Sequence, residues 1–337
     1  MKSWQETTRV FTEIKRLFDA GESVALSTLV KIEGSSYRRP GAKLLIRADG
    51  SMLGQVSGGC LEVDLRERAQ QMLETAAPPT LVHYDTGADD NTLWGLGLGC
   101  DGKLDAFLQR LDPKRDAESI THVLKHLLGL EAFAMRTALD GPHSGAIQTG
   151  PPTLGGASGI VASDGEREFV DYLEPPPDLV VVGAGDDSIP LVALAAQAGF
   201  RVTVVDHRSA HLTPERFPDA QQRVQRRAEA GLTALPQHGH TYVVIKNHAI
   251  AIDKAWAALF AETSVPYIGL MGPISRREDI LESLPDAVRP RIYGPAGLDV
   301  KAEGGEQIAV SIVAEMLAVH AGREGGFLRQ RSGSIHA

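Results

Sequence analysis

Only two cysteines occur in 337 residues. That is too few for a disulfide framework, so a reducing compartment is the expected setting. No apolar run approaches the roughly 18 residues that a membrane-spanning helix needs. The opening stretch, MKSWQETTRVFTEIKRLFDAG, has no apolar signal core. Its apolar positions Trp4, Val10, Phe11, Ile14, Leu17 and Phe18 fall instead on one helical stripe. A cytoplasmic protein without a membrane span is expected. Basic charge is also scarce: 34 Lys and Arg stand against 43 Asp and Glu, a net charge of −9. Such a surface repels phosphate backbones and argues against nucleic acid as a partner. No H-E-x-x-H, P-loop or G-x-S-x-G is present, and the cysteines lack a zinc-type C-x-x-C. No His or carboxylate pair stands out as general acid and base, which counts against a hydrolase.

What is present is ordinary globular composition, 43% hydrophobic and 23% charged. This excludes disorder or coiled coil as the main architecture. The length fits two domains. Proline runs at Pro78-Pro79, Pro151-Pro152 and Pro175-Pro176-Pro177 act as stiff connectors. The last precedes a strand-like run and marks the main boundary. The expected division is a first domain over 1–174, a second over 178–320 and an extended tail over 321–337. In the first domain, helices are predicted at the N-terminus, over 62–73 and over 113–130. Strands are predicted over 24–30, 43–47 and 104–108, with Asp49-Gly50 as a hairpin turn. Residues 131–173 read as short strands with turns at Gly155-Gly156 and Asp164-Gly165. In the second domain, strands over 179–182, 201–205, 241–245, 266–269 and 291–293 alternate with helices over 187–198, 251–262, 275–284 and 304–320. The expected fold class is therefore α/β: a C-terminal Rossmann-like parallel sheet plus an N-terminal mixed α+β domain.

Gly183-Ala-Gly185-Asp186-Asp187-Ser188 follows a strand and opens a helix. Gly183 and Gly185 allow a tight turn and close approach of a phosphate to backbone N–H groups. Asp206 ends the next strand, where a carboxylate can accept ribose hydroxyls and would favour NAD over NADP. Against this, Asp186 and Asp187 put negative charge where a phosphate would sit, and Ser188 takes the place of a third glycine. The loop either binds a nucleotide or pterin phosphate or merely caps the helix.

Both cysteines follow glycines, in Gly58-Gly59-Cys60 and Gly97-Leu98-Gly99-Cys100. Cys60 stands at a predicted helix N-terminus, which lowers a thiol pKa. Successive glycine N–H groups could form an anion nest beside it, with Arg38, Arg39 and Lys43 adding positive charge. A thiolate beside anion-binding amides suits a soft metal that carries anionic ligands. Two small residues in tight turns remain the alternative. Lys246-Asn247-His248 lies at a strand end, where it lines a cleft or starts a helix. Gly272-Pro273 with Arg276 and Arg277 forms an anion site or a solvated helix start. Glu315 reads as a solvent-facing residue on the last helix.

Several of these segments together resemble the XdhC/CoxI family of molybdenum-cofactor accessory proteins, over nearly the whole chain. The N-terminal signature is carried by Arg39-Pro-Gly-Ala-Lys43, Gly54-Gln-Val-Ser-Gly-Gly-Cys-Leu-Glu62 and Trp94-Gly-Leu-Gly-Leu-Gly-Cys100. The C-terminal one is carried by Val-Val-Gly-Ala-Gly185, Val202-Thr-Val-Val-Asp-His-Arg208, Tyr267-Ile-Gly-Leu-Met-Gly272 and Gly297-Leu-Asp. The resemblance implies a chaperone, rather than an enzyme of small-molecule chemistry. It would bind molybdenum cofactor (molybdopterin or a dinucleotide form), protect it, and deliver the sulfurated form to a molybdenum hydroxylase such as xanthine dehydrogenase. It further implies a cysteine desulfurase as partner, a homodimer, and Cys60 as the residue tied to cofactor and metal. Gly58, Gly59, Arg39, Lys43, Cys100, Gly183, Gly185 and Asp206 complete the expected cofactor-binding set. The alternative is an NAD-dependent oxidoreductase built on Gly183, Gly185 and Asp206.

Overall fold

The computed structural model describes residues 2–34, 38–59, 61–85, 102–152, 156–163, 165–247 and 249–330. They form two compact units, Lys2–Pro175 and the chain from Pro176 onward.

In the first unit α1 (Lys2–Asp19) buries its stripe. Trp4, Val10, Phe11, Ile14, Leu17 and Phe18 all join one core, and each contributes about 1.5–3 kcal/mol on burial. Then follow β1 (Val24–Glu33), β2 (Lys43–Ile46), β3 (Met52–Gly54), α2 (Glu62–Thr75), β4 (Thr80–Asp85) and β5 (Lys103–Leu111). The strands make an antiparallel sheet ordered β3-β2-β1-β5-β4. The predicted Asp49-Gly50 hairpin joins β2 to β3. Residues 24–30 are buried throughout because both faces of β1 are covered. Val24 and Leu26 pack toward α1 and α3 (Pro113–Gly129), while Ala25 and Leu29 pack toward α2. Asp112 caps α3 by accepting the Lys114 N–H at 2.9 Å, and Pro113 sits at the first helical position. A second antiparallel sheet, β7-β6-β9-β8, is built from β6 (Phe133–Ala138), β7 (Ile147–Gly150), β8 (Gly159–Ser163) and β9 (Glu166–Leu173). β4 was not expected from the sequence. It is an edge strand, and only Val82 and Tyr84 are buried.

The second unit runs β10 (Asp178–Val182), α4 (Ser188–Ala198), β11 (Arg201–Asp206), β12 (Gln222–Gln225), β13 (Thr241–Ile245), α5 (Ile250–Ala261), β14 (Tyr267–Leu270), α6 (Ile274–Leu281), β15 (Ile292–Tyr293) and α7 (Gly304–His320). Its six strands are parallel in the order β12-β11-β10-β13-β14-β15. Counted within the unit, that is the strand order of dinucleotide-binding sheets. The expected fold class therefore holds. α5 and α6 cover one face, and α4 and α7 the other. In this unit β12 is the strand that sequence patterning misses. Gln-Arg-Val-Gln carries a single apolar residue and forms a half-exposed sheet edge. Beyond α7, residues 321–330 are exposed and include one 3₁₀ turn, Leu328–Gln330. Among the described residues no helix is long and apolar enough to cross a membrane.

Candidate functional site

In the first unit the candidate site is the turn between β3 and α2. Gly54 must be glycine: its φ is +93° and a Cβ there would meet the Lys43 carbonyl oxygen at 2.3 Å. The Gln55 N–H donates to that same oxygen at 2.9 Å. The next residues are held by Glu62, the first residue of α2. Its carboxylate accepts the N–H groups of Val56 (3.1 Å) and Ser57 (2.8 Å) and the Ser57 hydroxyl. Ser57 Oγ in turn accepts the N–H groups of Gly59 and Leu61, each at 3.2 Å. Glu62 is 7% exposed. The turn is thus pinned from beneath by one buried carboxylate. Sequence patterning places Glu62 in the motif but assigns it no role. The available signal is a carboxylate in the first turn of a helix, directly after a Ser-Gly-Gly run.

On the outer side Gly58 and Gly59 are exposed, and among the described residues a Cβ at either would meet nothing within 4 Å. One N–H of the expected anion nest, that of Gly59, already donates to Ser57 Oγ. Cys60 and Cys100 lie outside the described residues, as does His248. Arg39 is exposed, and Arg38 forms an ion pair with Glu6. Lys43 points inward and is 2% exposed. Its ammonium pairs with Asp171 of β9 at 2.5 Å and donates to the Gly41 carbonyl at 2.8 Å. Its charge is matched inside the unit and is not presented to a ligand.

In the second unit Gly183 has φ of +113°, and a Cβ there would strike the Lys246 carbonyl at 2.7 Å. That close approach is what the glycine allows. The loop's polar groups are engaged. The Ala184 N–H donates to Asp206 Oδ2 at 2.8 Å. Asp206 also accepts the Arg208 backbone N–H (2.8 Å), Nε (3.0 Å) and Nη2 (2.8 Å). Burial pushes the Asp206 carboxyl up, but Arg208 and the two backbone donors outweigh it and hold the group well below the usual carboxylate range. Asp206 is therefore no free acceptor for a ribose. Asp187 pairs with Lys246 at 3.0 Å, and Asp186 with Arg216 at 2.8 Å. Burial draws the Lys246 ammonium below its ordinary value, and Asp187 partly restores it.

Asn247 donates its backbone and side-chain N–H groups to the buried Asp253, which also accepts from Arg276 at 2.6 Å. Arg276 is thereby neutralised, and the anion site expected beside Gly272 loses one of its two cations. Glu315 is not merely solvent-facing. It accepts the Tyr267 hydroxyl at 2.6 Å and the Gly297 N–H at 2.9 Å, tying α7 to the end of β14. Burial, followed by the charge of Glu315, raises the Tyr267 phenol well above its normal pKa. Among the described residues no group of three or more His, Cys, Asp or Glu could hold a metal ion.

Comparison with known proteins agrees with this architecture. The model of the XdhC Rossmann domain matches residues 179–316, and that of the XdhC and CoxI family matches residues 17–85. A Bacillus subtilis (strain 168) protein described as a probable xanthine dehydrogenase subunit is 30% identical over 325 residues, covering 91% of this chain and 96% of the relative. The "Molybdenum cofactor insertion chaperone PaoD" of Escherichia coli (strain K12) is 23% identical, covering 90% and 86%. A solved structure described as a xanthine dehydrogenase from Bacillus halodurans matches with a TM-score of 0.78 at 28% identity, over 97% of this chain and 98% of that one. The pinned Ser57-Gly58-Gly59 turn and the six-stranded sheet thus sit in a chain that aligns almost end to end with the Bacillus subtilis relative, and the chain belongs to the XdhC and CoxI family.

Proposed function

We propose that this protein binds molybdenum cofactor, shields it, and hands the sulfurated form to a molybdenum hydroxylase of the xanthine dehydrogenase kind. What carries the reading is the double-glycine turn directly before Cys60 in the sequence. It is open on its outer side and clamped on its inner side by Glu62. A pinned backbone with no side chain of the described residues against it lets a large planar group come close, and a cysteine thiolate is a suitable donor to a soft metal. The near-full-length relative named as a molybdenum cofactor insertion chaperone supports the same reading. Cys60 would face the metal, and Gly58 and Gly59 would border the pterin. Arg39 is the exposed cation available to its phosphate, whereas Lys43 serves the fold. A cysteine desulfurase would supply the terminal sulfur, and the chain would act in the cytoplasm as a homodimer. Cys100 and a dinucleotide form of the cofactor belong to the same proposal. The NAD-dependent oxidoreductase alternative lacks the free carboxylate it stood on, since Asp206 is saturated by donors from its own chain.

The test is anaerobic titration of the full chain with molybdenum cofactor. Cys60→Ala should weaken retention at least about tenfold, the order expected from losing one metal–ligand bond's support. It should also slow reconstitution of an apo-hydroxylase. Equal retention by the two proteins would remove Cys60 from the mechanism.

A further inference from the structure

The carboxyl edge of the parallel sheet holds a pocket that cofactor carriage leaves unused. It has a volume of about 140 Å³ and opens between the ends of β11 and β13, beside the start of α5. That is well below the roughly 300–1,000 Å³ of sites that engulf a drug-sized ligand, so it takes one ring system rather than a whole dinucleotide. Its inner wall is apolar, made by the half-buried Ile252 and Ala255 of α5, with Trp256 and Ala228 buried behind them. Such a wall suits a heterocycle lying face-on.

The position has a meaning in this topology. In a sheet of this order the ribose meets the end of the second strand, here β11. An acidic residue there selects a free 2′-hydroxyl, whereas a nearby arginine accommodates a 2′-phosphate. Asp206 stands at that strand end, yet it accepts four donors from its own chain and Arg208 balances its charge. With Asp206 matched by Arg208, the rim adds two further arginines. Arg226 and Arg227 follow β12 and stand against the carboxylates of Asp206 and Glu229, and His207 lies with its Nδ1 3.3 Å from Asp206 Oδ1. Arg226 Nη1 rests on the Ala230 and Gly231 carbonyls at 3.3 and 3.1 Å. The Arg227 side chain is exposed and makes no ion pair among the described residues. The glycine loop does not compete for the phosphate. Its Ala184 N–H is taken by Asp206, and the Asp187 carboxylate lies 2.7 Å from where a Gly185 Cβ would be.

We infer that this pocket binds a purine ribonucleotide phosphorylated on its 2′-oxygen, as in NADP+. The base would lie against Ile252 and Ala255 and the phosphate on Arg227, so that the unit prefers NADP+ to NAD+. Calorimetry on the full chain with NADP+, NAD+ and adenosine 2′-monophosphate tests this. Both 2′-phosphorylated probes should bind at least about tenfold tighter than NAD+, the order expected for one charge-assisted contact. Arg227→Ala, on an exposed side chain, should weaken NADP+ about tenfold and leave NAD+ unchanged. Ala255→Trp, checked for folding by circular dichroism, should fill the slot and abolish binding of all three. NADP+ binding no tighter than NAD+, or an unchanged NADP+ affinity in Arg227→Ala, overturns the inference. Such a failure leaves the cofactor titration intact, because that reading stands on the other unit.

Discussion

Glu62 and the Lys43–Asp171 pair show two different uses of a buried charge. Glu62 keeps three donors satisfied at once, so removing its carboxylate leaves the Val56 and Ser57 N–H groups without an acceptor. Glu62→Ala should therefore cost about 3 kcal/mol in urea unfolding, and Glu62→Gln, which keeps one oxygen acceptor, about 1. Both should lower molybdenum-cofactor retention if the turn must be rigid to present Cys60. The Lys43–Asp171 pair is almost fully enclosed. Breaking one side by Asp171→Asn strands an ammonium in a dry place and should cost about 3–5 kcal/mol. The double variant Lys43→Met with Asp171→Leu removes both charges and should recover most of that loss. A double variant as unstable as the single one would show that the pair is a net stabiliser rather than a matched burial. The Glu62 clamp was legible only as a carboxylate in the first turn of a helix, and the role of Lys43 was not legible. Lys43 read as a ligand-binding cation because its partner stands 128 positions away, and no local pattern announces such a contact.

At the scale of elements, the carboxyl edge of the sheet depends on Asp206 staying ionised. Its folded pKa lies below the value near 3.9 of an unfolded aspartate. The linked stability is fully present above pH 4 and falls away as pH drops toward the folded value. Thermal melts should therefore show the gap between the native chain and Asp206→Asn narrowing below pH 4. A gap independent of pH between 3 and 7 would mean the carboxylate's charge is not what binds the β10–α4 loop to β11. The alternation of strands and helices was readable because β10, β11 and β13 are Val- and Ile-rich runs, buried throughout except for Arg201 at the start of β11. Gly183 and Gly185 were readable from the strand–turn–helix pattern around them, although the Lys246 carbonyl that requires glycine at 183 is remote in sequence. The occupancy of Asp206 was not, since the same Gly-x-Gly and strand-end Asp would look identical whether Arg208 folds back or turns away. β12 escaped for the opposite reason. As an edge strand it needs no apolar pattern, and its identity comes from pairing Thr203–Asp206 with Gln222–Gln225.

At the scale of the whole chain, each unit is built around cores of its own. Trp4, Phe11 and Phe133 anchor one cluster in the first unit. Trp256, Phe260 and Ile268 anchor one in the second. The proposed cofactor turn belongs to the first unit and the proposed nucleotide pocket to the second, so damage to one core should be felt by one ligand. Phe260 is fully buried, and Phe260→Ala should cost the second unit about 3–5 kcal/mol through lost burial and the cavity left behind. Hydrogen exchange followed by mass spectrometry should then show faster exchange across β10–β15 while α1, β1 and β5 keep their protection, with molybdenum-cofactor retention unchanged. The converse variant, Phe133→Ala, should loosen the first unit and spare NADP+ binding. If protection instead falls together across both units in either variant, the chain unfolds as a single cooperative body. Every substitution in the second unit would then reach Cys60, and the two ligands could no longer be treated as separable.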